Sequence, residues 1–269
     1  MLDWLLDPFA GGIMQRALAE LILLSLVCGP LGVWVILYRQ AYAAESIAHG
    51  MLPGLVLAAI AGAPFLLGAG GGVLLAAAAI AVVARHPRLD ADVGVAVAVG
   101  SLTGAGALLA LAAERPPGLA ELLFGDPLGV SPRALAATGI LVAVLLSAML
   151  VAHRGLAVSA FDPPAARSLG GSPARAQLTV LVLIGVTTVA AVQVLGNLLA
   201  VALVLAPAAG GMRLAPRLKP AMAVAAALGI VATVAGLLVS FHFDVAAGAA
   251  VALSAVFAWS FSSVVAIKV

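Results

Sequence analysis

The sequence predicts an all-α, polytopic membrane protein with about eight or nine transmembrane helices. Apolar residues make up 64% of the 269-residue chain, charged residues only 9%, and the mean hydropathy is +1.24. A soluble domain carries about 25% charged residues, and a membrane β-barrel shows alternating strands of about ten residues instead of long apolar runs. The 29 glycines are small residues that allow membrane helices to pack closely.

Nine apolar runs approach the length that crosses a bilayer as a helix, about 20 residues. They lie at residues 14–37, 42–62, 66–84, 93–113, 134–153, 177–194, 196–212, 221–240 and 246–267. The boundary between the sixth and the seventh is weak, because only Gln193, Gly196 and Asn197 interrupt one apolar run there. Eight spans with a broken or re-entrant piece at residues 193–197 are the alternative.

Three prolines, Pro30, Pro53 and Pro207, fall inside these runs. Each removes a backbone donor and is expected to bend its helix. Helices broken by proline or glycine are common where a transporter lines a cavity, and a bend that serves only packing is an equally good interpretation.

The lysines and arginines predict the orientation of the chain, because cytoplasmic loops carry an excess of them. With the N-terminus outside, ten of the 13 cationic residues fall in cytoplasmic segments and three in external ones. The longest loops are residues 114–133 outside and residues 154–176 inside, and neither is long enough for a soluble domain. Residues 1–269 are therefore expected to form a single transmembrane domain, and the scattered basic residues offer no site for nucleic acid.

The stretch 41–53, AYAAESIAHGMLP, carries two ionisable residues, Glu45 and His49. On a helix, residues four positions apart lie on one face, about one turn from each other. A charged group inside a membrane costs at least about 2.5–3.5 kcal/mol, so such pairs usually face an interior cavity. Carboxylate and imidazole are ligands for divalent transition metals, which predicts a permease that passes a metal ion. A buried ion pair or a hydrogen bond between helices is the alternative.

One carboxylate and one imidazole are too few to hold a metal ion. A homodimer about a two-fold axis, or a pair with a homologous permease, would supply two of each. Such a set suits zinc and tolerates manganese or iron, whereas the single cysteine, Cys28, and the lack of a methionine cluster disfavour copper. The metal is expected as a transported substrate, zinc or manganese first, with no permanently bound cofactor.

The cytoplasmic loop contains a short segment with helix-capping residues, FDPPAARSLGG. Asp162 is a suitable N-cap, Pro163 and Pro164 suit a first helical turn, and Gly170 and Gly171 end the helix. A capped cytoplasmic helix with basic residues suggests a docking site for a partner, and an ordinary connecting turn is the alternative.

The chain lacks the phosphate-binding pattern G-x-x-x-x-G-K-[ST] of an ATPase. Its only lysines are Lys219 and Lys268, and the glycine-rich run at residues 68–72 is not followed by either. That run predicts close helix packing instead. The chain is therefore expected not to be an enzyme, and an ATP-driven cycle requires separate ATPase subunits.

Five stretches, in order along the chain, resemble the zinc and manganese permease family of ABC importers. They are AYAAESIAHGMLPG, LLFGDPLGVSP, FDPPAARSLGGSPAR, VLGNLLAVALVLAPAAGGMRL and FHFDVAAG. Each alone is a weak match, whereas five in the family's order over nearly the whole chain are specific.

The resemblance implies a two-fold permease core in the lipid of a prokaryotic cell membrane. It also implies two cytoplasmic ATPase subunits that drive alternating access, and an external metal-binding protein. Glu45 and His49 take the positions of the family's acid and histidine on the translocation path; most members carry aspartate at the first, and Glu45 reaches one methylene farther. The residues that the resemblance assigns to ATPase coupling are Asp162, Pro163, Ala166, Leu169 and Gly170.

Four further residues have weaker expected roles. His242 and Asp244 lie in a short external turn and are candidates for admitting the metal or for docking the external protein. Glu20, in the outer half of the first span, is expected to snorkel to the interface, and Trp34 near a span end fits an interfacial aromatic belt.

A stand-alone, ion-coupled secondary transporter is the alternative function. It would carry its own coupling-ion site and often shows inverted repeats with paired broken helices. No convincing repeat relates the two halves of this sequence, and the absence of H-E-x-x-H disfavours an intramembrane enzyme.

Overall fold

The structure of the protein is a computed structural model that describes residues 7–83, 91–113, 125–196 and 200–266. Within these ranges the chain is largely helical and contains no β-strand. The helices are α1 (Gly12–Leu37), α2 (Ala41–Gly50), α3 (Leu52–Ala61), α4 (Phe65–Val83), α5 (Ala91–Ala112), α6 (Pro132–Phe161), α7 (Pro163–Ser168), α8 (Pro173–Leu195), α9 (Ala200–Leu214), α10 (Leu218–Phe243) and α11 (Ala247–Ala266).

The prediction of an all-α membrane protein is confirmed. Seven described segments are long and apolar enough to cross a membrane by length and composition, with the broken unit Ala41–Ala61 counted as one. The apolar helices α4 and α9 stand at the third and seventh predicted spans. The predicted number of eight or nine is therefore slightly above the number of full-length spans, although every predicted span coincides with a helix.

The weak boundary between the sixth and seventh spans is a break between two helices. α8 ends at Leu195, Gly196 follows with a φ of 76°, and α9 begins at Ala200. Asn197 lies outside the described residues, as do the first three residues of the stretch LLFGDPLGVSP.

The three prolines have two different positions in their helices. Pro30 and Pro207 lie inside the continuous helices α1 and α9. Pro53 stands in the first turn of α3, where its missing N–H has no intrahelical partner to lose. The second span is therefore interrupted at Met51, just before its proline.

α1 is the central helix and packs against α6, α8, α9 and α10. Gly32 permits the closest of these approaches, because a Cβ there would collide with the carbonyl oxygen of Val204 in α9. Trp34 is fully buried and packs against His153 of α6, with the ring centroids 5.5 Å apart. The prediction that Trp34 lies in an interfacial belt was wrong, because α1 is enclosed by other helices on this side.

The prediction that Glu20 snorkels to the interface was also wrong. Glu20 is only 2% exposed, and the hydroxyl of Thr138 in α6 donates a hydrogen bond of 2.5 Å to its Oε1. Its Oε2 is buried and has no partner among the described residues. α6 covers this face of α1, and a glutamate is too short to extend around a neighbouring helix to water.

Candidate functional site

Helix α2 places Glu45 and His49 on one face, one turn apart. Oε1 of Glu45 lies 3.8 Å from Nε2 of His49. The side chain of Glu45 is 53% exposed and that of His49 is 26% exposed. The two side chains therefore lie at an open surface of the chain and are not buried inside it.

This open face limits what can lie next to it. The pair belongs to Ala41–Ala61, a unit apolar enough to cross a membrane. A carboxylate exposed to hydrocarbon is costly, so intramembrane carboxylates almost always face a bundle interior or a water-filled cavity. The face that carries Glu45 therefore requires water or a second polar surface beside it.

The opposite side of α2 is fixed by close packing. Ser46 and Ala48 are buried, and Thr103 of α5 donates a hydrogen bond of 3.4 Å to the carbonyl oxygen of His49. A Cβ at Gly72 of α4 would collide with the backbone of Met51, directly after α2. The glycine-rich run at residues 68–72 thus allows close packing of α4 against the end of α2. This packing holds the backbone that carries Glu45 and His49 in place.

One chain does not complete a metal site in the part that the structure describes. No group of three or more His, Cys, Asp or Glu side chains is close enough there to hold an ion. Glu45 and His49 offer two ligands, whereas metal sites that bind transition metals in proteins use three or four protein ligands. A metal ion bound at this pair would therefore need further ligands from outside the two side chains.

The predicted capped segment between the two long helices α6 and α8 forms the short helix α7. The N–H of Ala165 donates to Oδ1 of Asp162 at 3.0 Å, so Asp162 is the N-cap. At the other end, Gly170 has a φ of 78°, and the N–H of Gly171 donates to the carbonyl oxygen of Ala166 at 2.8 Å. These are the features of a Schellman motif, which ends the helix where the sequence predicts.

α7 presents an apolar residue to water. Leu169, just after α7, is 78% exposed, whereas Ala166 is packed inward. α6, which leads into α7, has 30 residues and is about 45 Å long, longer than the roughly 30 Å hydrocarbon core. Beside α7 lies a cavity of about 400 Å³, whose lining includes Arg154 and Arg175. The segment thus combines an exposed apolar anchor with positive charge.

The turn after α10 places Asp244 in the lining of a cavity that also contains a residue which sequence reasoning did not single out. Asp244 follows α10 with a φ of 52°, and it lines a cavity of about 460 Å³ together with Asp126. Asp126 accepts hydrogen bonds from the N–H groups of Leu128 and Gly129. His242 is not among the residues of this cavity; its ring packs against another side chain of α10. The stretch LLFGDPLGVSP was the only signal for Asp126.

A bundle of apolar helices with an open carboxylate–imidazole face and a capped helix between two long ones defines a membrane transport permease, a multi-pass protein of the cell membrane. The chain belongs to the ABC 3 transport family, whose sequence model matches residues 11–266. The family membership that the five stretches predicted is confirmed.

Relatives of similar length carry the names of metal transport proteins. The manganese transport system membrane protein MntC of Halalkalibacterium halodurans is 34% identical over 92% of this chain and 86% of its own length. The chelated iron transport system membrane protein YfeD of Yersinia pestis is 29% identical over 90% of this chain and 82% of its own. A chain of PsaBC from Streptococcus pneumoniae, solved in complex with Fab, matches with a TM-score of 0.89 and 28% identity, covering 97% of this chain and 95% of that one.

Proposed function

We propose that this chain is the membrane permease of an ATP-driven importer of divalent metal ions, with Glu45 and His49 on the path of the ion. One observation carries the proposal: an exposed carboxylate–imidazole pair on a membrane-spanning unit whose backbone is fixed from behind. Such a pair is costly unless it faces a polar conduit. Membership of a transport family, and relatives named for manganese and iron, support a metal ion as the cargo.

Manganese and iron are the first candidates for the metal. The names of the relatives specify these two metals, and carboxylate ligands suit manganese. Zinc is the third candidate, because imidazole and carboxylate together also suit it.

Two copies of the chain form the conduit in this proposal. Two Glu45 and two His49 side chains around one axis give two oxygen and two nitrogen ligands, and the open face of α2 becomes an interior face. A site shared between two chains opens when the chains separate, which permits release of the ion. This release is what a transporter needs and what a closed four-ligand site would hinder.

The two ends of the chain serve two partners in this proposal. A cytoplasmic ATPase subunit binds α7 with the exposed Leu169 as its apolar contact, and hydrolysis of ATP takes place in that subunit. An external metal-binding protein docks at the opposite side, where Asp126 and Asp244 line the cavity that admits the ion and His242 lies two positions before Asp244 at the end of α10.

The chemistry at the pair is exchange of ligands. An incoming dication loses part of its water shell to the carboxylate of Glu45 and to Nε2 of His49, which must be unprotonated to bind. The dication also neutralises the charge of Glu45 during its passage. Because each chain contributes only two ligands, the ion is held briefly and then released to water on the other side.

Uptake of manganese, iron and zinc by cells tests the proposal. The variants are Glu45→Gln and His49→Ala, and Ser101→Ala is the control, because the exposed Ser101 hydroxyl bonds only within its own helix. We expect both site variants to lose most of the uptake at unchanged protein level in the membrane. Uptake at the wild-type rate in both variants would remove Glu45 and His49 from the path.

A further inference from the structure

The turn at Tyr38, Arg39 and Gln40, between α1 and α2, is a rigid junction and is called the 38–40 turn below. Arg39 has a φ of 55°, in the left-handed region, and the N–H of Gln40 donates to the carbonyl oxygen of Val35 at 2.8 Å. This is the geometry of a Schellman motif at the end of α1. The carbonyl oxygen of Gln40 then accepts from the N–H of Ala44 at 2.9 Å and begins α2. The position of Gln40 therefore fixes the start of the helix that carries Glu45.

Two side chains of the 38–40 turn bind the helices on either side of α7. The hydroxyl of Tyr38 donates to the carbonyl oxygen of Leu156 in α6 at 2.8 Å. The Nε2 of Gln40 donates to the carbonyl oxygen of Gln177 in α8 at 3.1 Å. α6 leads into α7 and α8 leads out of it. The 38–40 turn is thus hydrogen-bonded to both helices that flank α7.

The stability of the fold does not explain why residue 40 is a glutamine. Gln40 is only 4% exposed, and its Oε1 is buried without a partner among the described residues. The desolvation of that oxygen offsets the gain from the bond that Nε2 makes to Gln177. An apolar side chain of similar size would fill the space without this cost, so the bond to α8 is what the glutamine specifically supplies.

The packing between α2 and α8 is incomplete on one side. A cavity of about 600 Å³ lies between α2, α4 and α8, and its lining includes Ala43, Ile47, Leu178 and Leu181. Its walls are apolar. α2 and α8 also contact each other directly beside this cavity, and the hydrogen bond at Gln40 adds a directional polar link at the end of the gap.

We infer that Tyr38 and Gln40 are positioning residues that transmit a displacement of α7 to α2, and so to Glu45 and His49. The inference rests on the proposed function, since α7 must be moved by an ATPase and the pair must bind the ion. When α6 and α8 move with α7, their carbonyl oxygens move the 38–40 turn, and the turn moves the start of α2. Loss of both hydrogen bonds leaves α7 and the Glu45–His49 pair intact but removes the link between them.

The test is the number of Mn²⁺ ions transported for each ATP hydrolysed by the assembled transporter in proteoliposomes. The transporter consists of this chain with the ATPase and the external protein that co-purify with it. The double variant Tyr38→Phe/Gln40→Met removes both bonds while keeping size. The matched control is Gln15→Met/Ser147→Ala, because Gln15 and Ser147 also donate to backbone carbonyl oxygens, but at exposed positions and over short distances in sequence.

We expect the double variant to hydrolyse ATP at nearly the wild-type rate and to move about fivefold fewer ions per ATP, the lower end of coupling between distant sites. The control should keep the wild-type ratio. A ratio unchanged in the double variant, or a loss of both activities in proportion, overturns the inference. If the double variant is not recovered from the membrane, Tyr38→Phe alone must lower the ratio. A wild-type transporter that hydrolyses ATP without moving Mn²⁺ refutes the proposed function itself.

Discussion

Two glutamates in the membrane region of this chain have opposite environments. Glu20 is buried between α1 and α6 and holds a hydrogen bond to Thr138. Glu45 is more than half exposed beside His49. A buried carboxylate with one donor serves contact between helices, whereas an exposed one at an apolar surface needs a polar neighbour from elsewhere. Only the second arrangement can admit and release an ion.

Thr138→Val removes the only donor to Glu20 among the described residues while keeping the volume of the side chain. We expect a loss of about 1–2 kcal/mol in the free energy of unfolding, the upper range for polar contacts between membrane helices. Thermal unfolding of the detergent-solubilised protein measures it. Ser147→Ala, on the same helix but exposed, is the control and should unfold at the wild-type temperature. Equal stability of Thr138→Val and Ser147→Ala would show that the bond contributes nothing.

At the scale of the elements, most of the helices could be predicted because the signals are local. Apolar runs predicted every span, and Asp162 with Gly170 predicted both ends of α7. Pro53 predicted a bend in the second span, and the break lies at Met51. The approach of α4 to this break through Gly72 was less accessible, because it is a contact between helices that a single sequence does not show.

Gly72→Ala and Gly71→Ala form a matched pair of substitutions on α4. A Cβ at Gly72 would collide with the backbone of Met51, whereas nothing lies within 4 Å of a Cβ at Gly71. We expect Gly72→Ala to destabilise the protein by about 1–3 kcal/mol through overpacking. Gly71→Ala should be neutral or stabilising by up to about 1 kcal/mol, because alanine favours a helix. Thermal unfolding of both variants measures the difference, and a similar effect of the two would contradict the close approach.

Leu169→Asp tests the contact between α7 and an ATPase subunit. Leu169 is 78% exposed, so its replacement should leave the fold of the permease unchanged. The new carboxylate would be buried when the ATPase subunit docks, and the burial of this charge would oppose docking. We expect the amount of ATPase that co-purifies to fall by about tenfold or more, as on substitution of an apolar anchor residue at an interface. Ser168→Ala, at an exposed residue that bonds within α7, is the control. Undiminished co-purification of the ATPase with Leu169→Asp would place the docking site elsewhere.

At the scale of the whole molecule, the sequence predicted the pair but not its surroundings. The spacing of Glu45 and His49 determined their common face, because four positions make about one helical turn. The enclosure of Glu20 by α6 and the cavity that Asp126 and Asp244 both line were missed, since each involves residues more than a hundred positions apart. If two chains share the ion, its remaining ligands come from the second chain. The sequence of one chain does not show how the two chains meet.

A cysteine at position 42 tests whether two chains meet at α2. Tyr42 is 42% exposed and lies three positions before Glu45, on the same side of the helix. In a background of Cys28→Ala, which removes the only native cysteine, Tyr42→Cys provides a single reactive thiol. Two pairs that hold one ion bring the two α2 helices to about 8–10 Å, within reach of a short thiol cross-linker.

We expect cross-linking in membranes to convert Tyr42→Cys to a covalent dimer, seen by gel electrophoresis. Val151→Cys is the control, because Val151 is 87% exposed in the middle of α6 and faces away from the bundle, where lipid surrounds a dimer formed through α2. If Val151→Cys is cross-linked to a dimer and Tyr42→Cys stays monomeric, the interface lies on α6 and Glu45 has no second copy beside it. In that case the open carboxylate would need a different polar partner, and the metal path would no longer lie on the two-fold axis.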